Sequence, residues 1–169
     1  MSTERSDDLF KKWHESTEKF DYFMLGVLGA LCAYLSQGYK PDRIGLNPGT
    51  VELLALIMLV LAAILGFRRI EATNQATMIN HRTLHCNERR GTLVSVLEQG
   101  PGLNYQTGQI YTPVYAADQI PFLTEQIRLL EGQLRVVQRK ALFAYRARNV
   151  LTMTGFLLIL AAKIYSAYI

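Results

Sequence analysis

Cysteine, histidine and tryptophan are all scarce in this chain of 169 residues: two, three and one respectively. Cys32 lies in an apolar block and Cys86 in a polar segment, so the two cannot meet and no disulfide framework is expected. No CxxC pair, phosphate-cradling glycine loop or nucleophile elbow is present, so no catalytic residue, cofactor or enzymatic activity is expected. Charge is missing from long stretches. None occurs from Tyr22 to Tyr39 or from Leu53 to Phe67.

What fills those stretches is apolar. Half of the chain is apolar, and these residues gather in three blocks: Phe23 to Leu35, Leu53 to Phe67, and Val150 to Ala162 with its continuation to Ile169. A bilayer core of ~30 Å takes about 20 helical residues. With their flanks all three blocks reach that length, and each is edged by Lys or Arg, so three transmembrane helices are expected rather than a soluble bundle. No secretory signal is expected, because a polar segment precedes the first block and no small-residue cleavage site follows it.

Basic residues orient the spans. Segment 1–19 carries Arg5, Lys11, Lys12 and Lys19, the 36–50 loop only Lys40 and Arg43, and segment 68–149 eleven Lys and Arg. The N-terminus and 68–149 are therefore expected in the cytoplasm, and the 36–50 loop and C-terminus outside. A bacterial inner membrane is the expected setting. The +4 net charge follows from this asymmetry, so no nucleic-acid partner is implied. Arg135, Arg139, Lys140, Arg146 and Arg148 read as anchors for lipid headgroups.

Ser6, Asp7 and Asp8 suit a helix start, after which Phe10, Trp13, Thr17 and Phe20 share one face. Residues 1–19 thus read either as an amphipathic segment at the inner interface or as the leading turns of the first helix. In the first span (20–69 holds the first two spans), Gly26/Ala30 and Gly29/Ala33 have small-xxx-small spacing, which favours close helix packing within the chain or between subunits. Thr50 is placed to cap the second helix.

The strongest periodicity lies in the polar segment. Ile120, Leu123, Ile127, Leu130, Leu134, Val137, Ala141 and Ala144 alternate by three and four, a heptad seam. A second row, Leu129, Val136, Phe143 and Val150, recurs every seven and makes the stripe wide enough for two neighbours. One helix from about Pro121 to Ile169 is expected. Ala72, Ile79, Cys86, Leu93 and Ala76, Thr83, Arg90, Leu97 form a weaker, more polar seam on the helix before it. Residues 70–149 then close as an antiparallel, coiled-coil-like cytoplasmic hairpin, and 150–169 form the third span. Its tip, 99–121, is rich in Gly, Pro and Tyr and suits a small β-hairpin around Thr107-Gly108. Tyr105, Tyr111 and Tyr115 are candidates for binding a cytoplasmic protein there.

His81, His85 and Glu88 share one face of the second helix, nearly opposite the seam that carries Cys86. His-x-x-x-His with a glutamate three further on has metal-ligand spacing. Arg82 holds the place of a metalloprotease glutamate, and Arg82 and Arg89 flank the face. No metal is expected; the face reads as a polar surface, lining a cytoplasmic vestibule if the protein forms a ring.

Ionisable residues inside spans mark transport paths. Only Asp21, Glu52 and Lys163 qualify, each near a block end. Glu52 and Lys163 are expected to pair at the outer interface. With no acid at mid-membrane, a proton-driven transporter or motor is disfavoured. The sequence therefore describes an all-α membrane protein, embedded in lipid and homo-oligomeric. It reads as a channel-like or membrane-perturbing effector or sensor, the alternative being a non-conducting scaffold that docks a soluble enzyme.

Overall fold

The computed structural model describes the backbone of residues 2–39, 45, 47–103 and 110–168, with side chains among these except at 2–11, 13, 14, 103 and 168. It is all-α apart from a minimal ladder. Helix α1 spans Ser2–Gly38, α2 Pro48–Gln99 and α3 Pro113–Tyr168. Between α2 and α3, strands β1 (Gly102–Leu103) and β2 (Ile110–Tyr111) pair antiparallel, Gly102 opposite Tyr111 and Leu103 opposite Ile110.

The helix ends follow capping chemistry. Asn47, not Thr50, caps α2: its Oδ1 accepts from Thr50 N at 2.8 Å, and Pro48 occupies the first helical position. Thr50 sits inside the first turn and donates its own hydroxyl to the same Oδ1 at 2.8 Å. At the far end Gly100 adopts φ 96° and donates its N–H to Val96 O at 3.0 Å, a left-handed cap. Helix α3 begins eight residues before the expected Pro121. There Thr112 accepts from Tyr115 N and Ala116 N, ahead of Pro113. Pro121 is tolerated inside the helix because it and Ala117, whose carbonyl loses its partner, are both exposed. Helix α1 runs without a break from Ser2 into the first apolar block, as the leading-turn alternative has it.

All three helices are long and apolar enough to cross a membrane. Only 11%, 22% and 17% of their most apolar windows are buried, so most of the apolar surface points outward, as lipid or partner chains require and water does not tolerate.

The chain divides into two compact units, 1–71 with 140–169, and 72–139. Residues 140–149 fall in the first unit, together with the three apolar blocks. In the first unit Leu28, Leu59 and Ala62 form the core, with Leu31, Cys32, Leu151 and Ile159 against them. Gly155 lets α3 approach α2 closely, since a Cβ there would lie 2.9 Å from Leu59 Cδ2 and 3.5 Å from Ala55 O. In the second unit Leu93 and Val96 of α2 gather with Tyr111 of β2 and Ala116 and Leu123 of α3.

The seam of α3 is the helix's inner side throughout. Leu123, Ile127 and Ala144 are buried and Ile120, Leu130, Leu134, Val137 and Ala141 half-buried, while Leu129, Val136, Phe143 and Val150 are exposed. The same stride continues through Arg148, Leu151, Gly155, Leu158 and Ala162, all buried or half-buried.

Candidate functional site

The most unusual chemistry lies where the three spans come together at one edge of their apolar blocks. Asp21 stands just before the block of α1, Arg69 just after that of α2, and Arg148 just before that of α3. The Asp21 carboxylate takes both guanidiniums: Arg148 Nη1 donates to Oδ1 at 2.8 Å, and Arg69 Nε meets Oδ2 at 2.9 Å. The three side chains are 6%, 1% and 14% exposed, in the order Asp21, Arg148, Arg69, so the cluster is almost dry. Ion pairs in such surroundings are strong, and costly to break on one side only.

Its walls are specific. Tyr145 presents its ring to both cations, with the Arg69 guanidinium carbon 4.0 Å and that of Arg148 5.4 Å from the ring centre. Arg148 Nε donates to Asn149 Oδ1 at 3.2 Å, and the Arg148 carbonyl accepts from Thr152 Oγ1 at 2.8 Å. Gly66 makes room for the arginine stem, as a Cβ there would lie 3.2 Å from Leu25 Cδ1 and 3.6 Å from Arg148 Cδ.

This corrects one sequence reading and completes another. Arg148 does not extend from the surface: it is buried, whereas Arg135, Arg139, Lys140 and Arg146 are exposed. It falls seven residues after Ala141 and four after Ala144, the next inward step of the seam, and that spacing was the available signal. The sequence marks Asp21 as a charge near a block end, but its two partners lie 48 and 127 residues away, so no local pattern points to them.

At the opposite edge Lys163 Nζ donates to Glu52 Oε1 at 2.8 Å. Lys163 is largely exposed there, so the pair contributes modestly. Gly26, Gly29, Ala30 and Ala33 are exposed, with nothing within 4 Å of a Cβ at either glycine. The inward face of α1 is instead Asp21, Leu28 and the half-buried Leu35, each seven residues apart. Among the described residues no other helix of the chain covers the small-residue face.

In the second unit His81, His85 and Glu88 are exposed. His81 and His85 border a groove of about 460 Å³ that Cys86, Gln126 and Leu129 also line. The opposition of histidines to Cys86 expected from helical angles is thus relaxed, since a groove between two helices draws its rim from both flanks. Among the described residues no three His, Cys, Asp or Glu side chains gather in a metal-holding arrangement.

Of the tip tyrosines, Tyr105 lies outside the described residues. Tyr111 is buried, which removes it from any docking surface, and stacks on Tyr115 at 5.6 Å between ring centres. Tyr115 is exposed and its hydroxyl accepts from Arg89 Nη2 at 3.1 Å. Ile110 and Val114 are the most exposed of the described apolar residues at this end, at 69% and 75%. Comparison with known proteins finds no matching family model, no similar curated protein and no similar solved structure.

Proposed function

We propose that this chain is a homo-oligomeric integral membrane protein, an effector or sensor whose cytoplasmic helical hairpin receives a signal and whose spans carry the response. In this reading the N-terminus and residues 68–149 lie in the cytoplasm of a bacterium and the C-terminus beyond its inner membrane. The observation that carries it is the outward face of α1. Gly26, Gly29, Ala30 and Ala33 form a flat, small-residue strip on a span that the rest of the chain leaves mostly uncovered. Such strips serve close helix–helix approach in lipid. Helices α2 and α3 continue unbroken from their apolar blocks into the second unit, so a partner's effect on that unit has a direct covalent route to the spans.

The response is membrane-perturbing, or channel-like through a hydrophobic, dewetting constriction, rather than conduction along a polar path. Two of the few hydroxyls in the spans are already tied to backbone: Ser36 Oγ donates to Ala33 O and Thr152 Oγ1 to Arg148 O, both at 2.8 Å. The same observation favours a second reading, a non-conducting scaffold that docks a soluble protein through exposed Ile110, Val114 and Tyr115.

Light scattering of the detergent-solubilised chain, with detergent mass subtracted, tests the proposal. Several copies per particle are expected, falling to one when Gly26 and Gly29 are both replaced by Leu. A wild-type monomer would overturn the assembly and leave the scaffold. An oligomer that keeps its size in the double variant would remove the glycine strip as its interface.

A further inference from the structure

We infer that the Asp21–Arg69–Arg148 cluster is a binding site for a phosphate group. The inference rests on the membrane reading above only for where that phosphate comes from.

Charge comes first. Two guanidiniums face one carboxylate, and +2 with −1 leaves one positive charge among side chains that are nearly dry. A buried surplus charge is strongly unfavourable unless an anion meets it. Among the described residues the other side chains seen to touch the two guanidiniums carry no charge: Tyr145 offers a ring face and Asn149 a neutral amide oxygen.

Hydrogen bonding points the same way, independently. Arg148 is 1% exposed, its Nη1 and Nε are used, and its buried Nη2 donates to no acceptor among the described residues. A donor so placed is rarely left unmatched in a settled interior. Arginine forks match phosphate oxygens in pairs, and phosphate can accept from more than one guanidinium at once. Tyr145 and Arg69 are the more exposed members of the cluster, and Gly66 lies against the stem of Arg148.

The cluster lies at the edge of the apolar blocks, the depth at which a bilayer presents its phosphates. An anionic phospholipid headgroup and free inorganic phosphate share the required chemistry.

Native mass spectrometry of the full chain in detergent, titrated separately with phosphatidylglycerol, phosphatidylcholine and inorganic phosphate, tests this. Phosphatidylglycerol should be retained about ten-fold better than zwitterionic phosphatidylcholine, as a surplus positive charge requires. That advantage should vanish in Arg148→Gln and Arg69→Gln but persist in Arg68→Gln, which changes an exposed neighbour. If inorganic phosphate displaces the lipid, the site stands and its natural ligand is the free anion; if it does not, the site stands as a headgroup site.

Equal retention of the two lipids by the wild-type chain, with no binding of inorganic phosphate, would overturn the inference without any variant having to fold. So would an equal loss in Arg68→Gln and Arg148→Gln. Alkaline carbonate extraction of membranes separates the two failures. A chain released by carbonate is not integral, and inorganic phosphate then still tests the cluster.

Discussion

Asp21 is the residue on which the span unit turns, because one carboxylate holds a guanidinium from each of two other helices. Asp21→Asn keeps the shape and removes the charge, leaving two buried cations without a counter-charge. The expected loss is about 3–5 kcal/mol, the range for breaking one side of a buried ionic cluster. It is read as a fall in the denaturation midpoint in mixed micelles. Replacing all three members together (Asp21→Leu, Arg69→Met, Arg148→Met) should recover most of it, because no uncompensated charge remains. Failure of that recovery would mean the cluster contributes more than charge balance.

Gly155 makes a second prediction at this scale. Gly155→Leu forces a side chain where Leu59 Cδ2 and Ala55 O already lie 2.9 and 3.5 Å from a Cβ. Overpacking of this kind costs about 1–3 kcal/mol. Gly26→Leu, with open space beyond it, should leave the monomer's stability unchanged in the same measurement.

At the scale of elements, local chemistry decides where helices begin and end, and tertiary packing decides which face turns inward. Asn47→Ala removes the acceptor that holds Thr50 N, and should lower stability by about 1 kcal/mol. Fraying should be confined to the first turn of α2, visible as faster amide exchange at residues 48–51. Tyr111→Ala hollows the core of the second unit between Leu93, Val96 and Leu123. The expected cost is about 3–5 kcal/mol, as for large aromatic truncations elsewhere. Faster exchange should then spread through residues 86–127 while the spans keep their protection. Tyr115→Ala, on the exposed side of the same stack, should do far less; equal effects would remove the distinction between core and surface here.

Both helix starts were legible as motifs, Asn47-Pro48 and Thr112-Pro113, since a capping side chain followed by proline is a local signal. Sequence reading placed the cap at Thr50 and the start of α3 near Pro121, because a proline within a helical stretch looks like a boundary. It is not one when the carbonyl it orphans faces outward. The ladder Gly102–Leu103 with Ile110–Tyr111 was foreshadowed by turn residues between short β-formers. The burial of Tyr111 was not, because it depends on α2 supplying Leu93 and Val96.

At the scale of the whole molecule, sequence alone determined the class. Apolar blocks of bilayer length and a heptad stride are properties of consecutive residues, and a helix displays them without reference to any other part of the chain. Three helices fit to span a membrane, and the inward side of α3, follow from that. Partnership was decided only by the tertiary structure. Asp21, Arg69 and Arg148 are separated by 48 and 79 residues, so no local pattern links them; only three helices brought side by side do. The glycine strip of α1 shows the converse. Its spacing announces close packing but cannot name the neighbour, and the chain's own helices meet Asp21, Leu28 and Leu35 instead, because a helix offers one face at a time and the buried charge took that one.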